Sequence, residues 1–197
     1  MSRKKTGVEI INGKKPILFS APHVFSHRRP SLASLYKQGE PWTDYIVRSI
    51  CEEVGCYGVF STAEIDHDPN YYKLERNEYK KEVNSLIKNK KIKYFFDIHG
   101  LSDEHPYDFG IYYLNRYNKS KNLGYDLAKS LNKGSLRNCL VQILNIKKGK
   151  GESLTEFTTS KLRIASLQVE ISRYIREDDI LRESLISNFR DFLLTLY

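Results

Sequence analysis

The sequence predicts a three-layer α/β/α domain built on a mostly parallel, mixed central sheet, and three observations carry that expectation. Short apolar runs rich in β-branched and aromatic residues alternate with amphipathic stretches of helical period, the pattern of strands covered on both faces by helices. Turn and stop signals such as Asn12-Gly13, Gly55 and Lys133-Gly134 separate the segments. Finally, three runs end, or nearly end, on residues able to bind metal or move protons: Ile17 to His23, Tyr94 to Gly100 with His99, and Ala165 to Ile171 with Glu170. Ligand crevices of open α/β sheets lie beyond the carboxyl ends of parallel strands. Strands that deliver His, His and Glu to that edge make a candidate metal site with a general base beside it.

The elements follow in order. Val8 to Ile11 and Pro16 to Ser20 read as strands separated by the Asn12-Gly13 turn signal. Residues 22–42, with three prolines and Gly39, form a long polar loop of the kind that often carries function. Thr43 is an N-cap candidate for a helix from Asp44 to Val54, closed by Gly55. Tyr57 to Thr62 is a strand, and Pro69-Asn70 opens a loop before a charged helix from about Tyr72 to Asn89. Ile92 to Ile98 is the central strand, followed by a strand at Phe109 to Leu114, a helix at Ser120 to Leu131 and a strand at Leu140 to Ile146. A Gly/Lys-rich loop (147–153) leads to a short helix at 155–162, a strand at Arg163 to Ile171, and an amphipathic helix from Glu177 to Leu196. The acidic start of that last helix, Glu177-Asp178-Asp179, suits the helix dipole.

Composition bounds the class. A chain of 197 residues, 40% hydrophobic and 28% charged, fits one soluble domain spanning 1–197. No apolar stretch approaches the ~20 residues of a membrane span, and the basic Met1-Ser2-Arg3-Lys4-Lys5 leads into no signal-type apolar region. A cytoplasmic location and no membrane partner are therefore expected. Cys51, Cys56 and Cys139 cannot all pair and form no Cys-x-x-Cys, which argues against a disulfide framework or a thiolate zinc site. The net charge of +8 permits an anionic partner. Its lysines are scattered, however, in the manner of solvated helix ends and loops, which suits a small anionic substrate better than nucleic acid.

Asp97-x-His99-Gly100 is the strongest local signal. Asp97 and His99 leave the same face of a strand, so the carboxylate can orient the imidazole from behind, while Gly100 permits a tight backbone turn. His23 ends a second strand of the same kind. Glu170 is a carboxylate inside an otherwise apolar strand, a costly placement unless it serves a site. Capping explains Asp44 and turn formation explains Asp68-Pro69-Asn70 about as well as function does. No Gly-x-Ser-x-Gly elbow, Walker loop or dinucleotide fingerprint is present.

Taken in order, Ala21-Pro22-His23, Glu40-x-x-Thr43-Asp44, Asp68-Pro69-Asn70, Asp97-Ile98-His99-Gly100 and Leu167-Gln168-Val169-Glu170-Ile171-Ser172 resemble the N-formylglutamate amidohydrolase family, within the zinc carboxypeptidase-like superfamily. The blocks run from about residue 16 to 175. The resemblance implies a hydrolase-like fold as in zinc carboxypeptidases (phosphorylase/hydrolase-like). It implies His23 and His99 as ligands of one zinc ion and Glu170 as general base. In that group an acidic ligand usually follows the first histidine three residues on, where this chain has Ser26. Glu40 is the expected replacement and His27 the alternative, otherwise a substrate-binding residue. Asn70, with Arg76 or Arg28-Arg29, would clamp a substrate carboxylate, and Arg28 or Arg29 would stabilise the oxyanion.

The activity so implied is zinc-dependent hydrolysis of an amide bond in a small acidic N-acyl amino acid or γ-glutamyl peptide. Two other readings compete. One is a non-catalytic module of the same fold that binds anions or nucleic acid. The other is a metal-dependent phosphoesterase using Asp66, His67, Asp68, Asp97 and His99.

Overall fold

The computed structural model describes residues 7–30, 36–147 and 151–196. The basic leader (1–6), the middle of the 22–42 loop (31–35) and part of the Gly/Lys-rich loop (148–150) lie outside the described residues. In chain order the strands are β1 (Val8–Ile11), β2 (Lys15–Ala21), β3 (His27–Arg28), β4 (Tyr36–Lys37), β5 (Cys56–Ser61), β6 (Tyr94–Gly100), β7 (Phe109–Tyr113), β8 (Val141–Asn145) and β9 (Ala165–Ile171). The helices are α1 (Thr43–Val54), α2 (Glu78–Asn89), α3 (Asn118–Leu131), α4 (Leu154–Ser160), α5 (Arg173–Glu177) and α6 (Asp179–Leu194).

Seven strands form the main sheet in the order β1-β5-β2-β6-β9-β7-β8. Neighbours from β5 to β9 pair in parallel, as do β7 and β8, while β1 runs antiparallel to β5 and β7 antiparallel to β9. The sheet is therefore mixed and mostly parallel, as expected. Although Asn12-Gly13 separates β1 from β2, the two strands are not partners, because β5 lies between them.

Alternation along each strand builds the two helix layers. Phe19, Phe96, Ile98, Leu167 and Val169 join α1, α3 and α6 in one buried cluster. Leu18, Val59 and Phe95 pack with Tyr79, Val83, Ile87 and Leu154 of α2 and α4 in a second. The first cluster is dense with aromatic rings: Phe19 stacks on Phe96 at 4.9 Å, and both meet Phe189 edge-on. Asp97 and His99 share their parity with Phe95, so they emerge on the α2/α4 side. The same is true of Gln168 and Glu170 on β9, which pair in register with Asp97 and His99.

Several boundaries differ from the sequence expectation. Thr43 lies inside α1 rather than capping it; the cap position is Trp42, in the left-handed region at φ 71°, and the Thr43 hydroxyl donates to the Glu40 carbonyl at 2.7 Å. The charged helix begins only at Glu78, where Asn77 accepts the Lys80 N–H, and the Leu74–Arg76 stretch before it is a 3-10 turn. The C-terminal helix is broken at Asp178, whose side chain accepts from Leu181 N and starts α6 as a separate helix. Inside the long loop, β3 and β4 form a two-stranded ribbon anchored by His27 to Ile65. No helix among the described residues is long and apolar enough to cross a membrane.

Candidate metal centre

The parallel strands β2, β6 and β9 end at one edge of the sheet, and the segments that leave them meet there. His23 lies two residues beyond the end of β2, and His99 is the penultimate residue of β6. Glu40 comes from the distant loop and is fixed to the first of these segments by its own N–H, which donates to the His23 carbonyl at 2.7 Å. Close backbone approach makes this possible, since a Cβ on Gly39 would fall 2.5 Å from the Val24 carbonyl oxygen.

Three ligand atoms converge. His23 Nδ1 lies 3.1 Å from His99 Nδ1, His99 Nδ1 lies 3.2 Å from Glu40 Oε2, and His23 Nδ1 lies 3.5 Å from Glu40 Oε1. Two atoms bound to a tetrahedral zinc at about 2.0–2.1 Å would be about 3.3–3.4 Å apart. The observed separations bracket that spacing.

The outer hydrogen bonds explain why both Nδ1 atoms face inward. His23 Nε2 donates to Asp68 Oδ1 at 2.8 Å, and His99 Nε2 donates to Asp97 Oδ2 at 2.9 Å. Each carboxylate thereby selects the tautomer with its proton on Nε2. Held in these tautomers as neutral imidazoles, the two rings would turn two lone pairs and a carboxylate toward one point. That arrangement is repulsive without a cation. The electrostatics state the same fact. Burial disfavours a charged His99, but Asp97 and Glu40 outweigh it and hold its pKa at about 10. Burial likewise opposes, and Asp68 and Glu40 reverse, the shift at His23, which ends above its ordinary value. Burial also opposes ionisation of Glu40, yet the two imidazoles hold its carboxyl well below the usual carboxylate range. Asp97 Oδ1 is buried without a hydrogen-bond partner among the described residues, so its charge adds to the pull. The donor set therefore fits a divalent cation such as zinc.

His27 occupies a different position from the one expected. It is fully buried, stacked face to face on His23 with centroids 3.8 Å apart, and does not line the cleft. Burial and the neighbouring His23 lower its pKa to about 3, so it is a neutral platform under the first histidine. His23, His27 and Asp68 also bring ligand atoms within 4.8 Å of one another. Both Asp68 oxygens are already engaged there, by His23 Nε2 and by Arg29 Nε at 2.8 Å.

A cleft of about 340 Å³ opens over the triad, lined among others by Arg29, Lys37, Asn70, Glu156, Gln168 and Glu170. Glu170 sits beside His99 in strand register and accepts a hydrogen bond from Gln168 at 2.8 Å. Asn70 places its side-chain nitrogen 3.5 Å from His99 Nε2 and accepts the Leu154 N–H, which ties it to the start of α4. Arg28 and Arg76 are not among these groups. Arg28 is exposed on the ribbon with its guanidinium over Tyr36, and Arg76 is exposed in the 3-10 turn. Arg29 follows the end of β3 and is turned to the cleft by its bond to Asp68, so of the arginine pair only Arg29 reaches it. Asp66 and His67 are exposed as well, with Asp66 bonded to the Tyr36 hydroxyl. They do not join Asp97 and His99.

Sequence reasoning undervalued Asp68, whose turn role and His23 contact coexist: Oδ1 also accepts the Asn70 N–H at 2.8 Å. It missed Lys37, whose ammonium lies 3.5 Å from Glu40 Oε1, and Arg176, buried against Gly100. Gly100 itself has no positive φ among the described residues. It is required for close approach, because a Cβ there would lie 2.8 Å from Arg176 Nη2 and 3.1 Å from Glu40 Cβ.

No protein-family model and no curated protein sequence matches the chain. Solved structures do match in fold. Gene product Atu2144 from Agrobacterium tumefaciens aligns with TM-score 0.63 at 11% identity, over 96% of this chain and 94% of that one. Succinylglutamate desuccinylase from Chromobacterium violaceum aligns with TM-score 0.61 at 12% identity, over 95% and 67%. A bacteriophage poly-gamma-glutamate hydrolase aligns with TM-score 0.59 at 12% identity, over 100% and 92%. The architecture is the mixed α/β fold of carboxypeptidase-like hydrolase structures.

Proposed function

We propose that the protein is a zinc-dependent amidohydrolase that cleaves the amide bond of a small acidic N-acyl amino acid or γ-glutamyl peptide. The observation that carries this reading is the convergence of His23 Nδ1, His99 Nδ1 and the Glu40 carboxylate beside Glu170, at the carboxyl end of the parallel strands. The desuccinylase and the poly-gamma-glutamate hydrolase among the fold neighbours support an amide bond as the target.

In this reading His23, Glu40 and His99 would hold the ion, with Asp68 and Asp97 orienting the imidazoles. Zinc bound there would supply the Lewis acidity that activates water and polarises a carbonyl near neutral pH. Glu170, half-buried on the cleft floor and oriented by Gln168, would accept the proton of the attacking water and return it to the leaving amine. Arg29 and Asn70 line the same wall and would bind a substrate carboxylate. Lys37 and Lys147 add positive charge to the rim, which favours an anionic substrate, and the volume of about 340 Å³ suits a small one.

The test is metal analysis of chelator-free protein together with amide hydrolysis assays. Near-stoichiometric zinc and release of an amine from N-acyl glutamates or γ-glutamyl peptides are expected. Protein that takes up no zinc, with a Glu170→Gln variant as active as wild type, would overturn the reading.

A further inference from the structure

We infer that Arg176 of α5 is the positioning residue that holds Glu40 in the ligand triad; the inference rests on the metal-site reading above. Glu40 stands seventeen residues after His23 on a loop, and a ligand delivered that way needs anchors to hold its geometry. The segment that follows it is held by two arginines. Arg176 is only 4% exposed. Its Nε donates to the Ile171 carbonyl at 3.0 Å, and its Nη1 donates to the carbonyl of Pro41, the residue next to Glu40. One planar guanidinium thus ties the end of β9 to the Glu40 segment.

The same guanidinium lies against Gly100, where a Cβ would sit 2.8 Å from Nη2. Gly100 in turn donates its N–H to Glu40 Oε2 at 3.0 Å. Arg176 therefore packs between the three segments whose relative placement sets the distance from Glu40 to His99.

A second arginine supports the first. Arg182 Nη1 donates to the Arg176 carbonyl at 2.8 Å, and its guanidinium stacks on Trp42 at 4.0 Å. Trp42 holds a left-handed backbone at φ 71°, a conformation that a bulky residue keeps only where its surroundings enforce it. Residues 41 and 42 are thus gripped from α5 and α6 while residue 40 faces the metal position. Lysine cannot reproduce the fork, because both bonds need the fixed geometry of two guanidinium nitrogens.

The experiment is a double-mutant cycle on zinc affinity, measured by chelator competition on the full chain. Arg176→Met and Arg176→Lys are each made in the wild-type and Glu40→Gln backgrounds. If Arg176 acts through Glu40, Arg176→Met weakens zinc binding about 10- to 100-fold in the wild-type background, the range for residues that orient metal ligands. In the Glu40→Gln background it causes no further loss. Arg176→Lys, which keeps charge and bulk, repeats the pattern at smaller amplitude and serves if the Met variant does not fold. Equal weakening in both backgrounds would reduce Arg176 to a general structural role and overturn the inference, as would no weakening in either. Wild-type protein that binds no zinc would instead sink the metal-site reading itself.

Discussion

Asp68 accepts the Nε2 proton of His23 on one carboxylate oxygen, at 2.8 Å, and the Nε proton of Arg29 on the other, also at 2.8 Å. The pair is buried, and His23 is fully enclosed. Burial opposes the ionised carboxyl of Asp68, but His23 and Arg29 hold it well below the usual range. Asp68 is thus a permanent anion that fixes the tautomer of a candidate ligand.

Removing that anion should loosen the metal more than the fold. Asp68→Ala frees His23 to rotate or to place its proton on Nδ1, where it cannot bind metal. Zinc affinity is expected to fall about 10- to 100-fold, the range typical of partners behind metal-bound histidines. Chelator competition measures it, and an unchanged affinity would remove Asp68 from the site's support.

Proton competition should give zinc binding a definite pH dependence. The pKa of His99 is raised from 6.5 to about 10 in the metal-free protein. A raised folded pKa means that protonation stabilises the metal-free fold fully below pH 6.5, and that this contribution is lost as pH climbs through about 10. Zinc must displace that proton. Zinc binding should therefore release protons, and its affinity should rise with pH between 6.5 and 9. The gain in melting temperature on zinc addition should widen over the same window. Calorimetry in buffers of differing ionisation enthalpy reads the proton release directly; zero release at neutral pH would contradict the raised imidazole.

The strand ends were legible because apolar alternation fixes both strand and face, so Asp97, His99 and Glu170 could be placed from sequence pattern alone. Their register across β6 and β9 follows from parallel pairing of two such strands. Glu40 was reached only through resemblance. No local spacing announces it, since its position depends on the bond from its N–H to the His23 carbonyl and on the close approach at Gly39. Asp68 was hidden by a sufficient simpler explanation, the turn it also makes. Arg28 and Arg29 are indistinguishable in composition, and only tertiary contacts, Tyr36 under Arg28 and Asp68 beside Arg29, separate the exposed one from the one in the cleft. Arg176 lies between the expected last strand and last helix, where no sequence pattern marks it, and its burial is a purely tertiary event.

Glu170→Gln tests the proton-transfer role separately from metal binding. The amide keeps the side chain's shape and its place beside Gln168, but it cannot take a proton from water. Amide hydrolysis is expected to fall about 10²- to 10⁴-fold, the usual contribution of a general base. Zinc content should remain at the wild-type level because Glu170 lies outside the triad. Loss of zinc in this variant would mean that Glu170 is a ligand rather than a base.

Gly100→Ala probes how tightly the Glu40 segment is wedged against β6. The added methyl would lie 2.8 Å from Arg176 Nη2, 3.0 Å from its Cζ and 3.1 Å from Glu40 Cβ. None of these groups can retreat freely. The guanidinium is bonded to Ile171 and Pro41, and Glu40 is bonded through its N–H to His23 and through Oε2 to Gly100. The methyl must therefore push the Glu40 segment away from His99. Overpacking of this kind typically costs about 1–3 kcal/mol of stability. Zinc affinity should fall with it, because the 3.2 Å separation between His99 Nδ1 and Glu40 Oε2 would open. Denaturant melts and zinc competition on the same variant separate the two effects. A variant that loses stability but keeps full zinc affinity would show that the strain is absorbed elsewhere, and that Glu40 is held by something other than this contact.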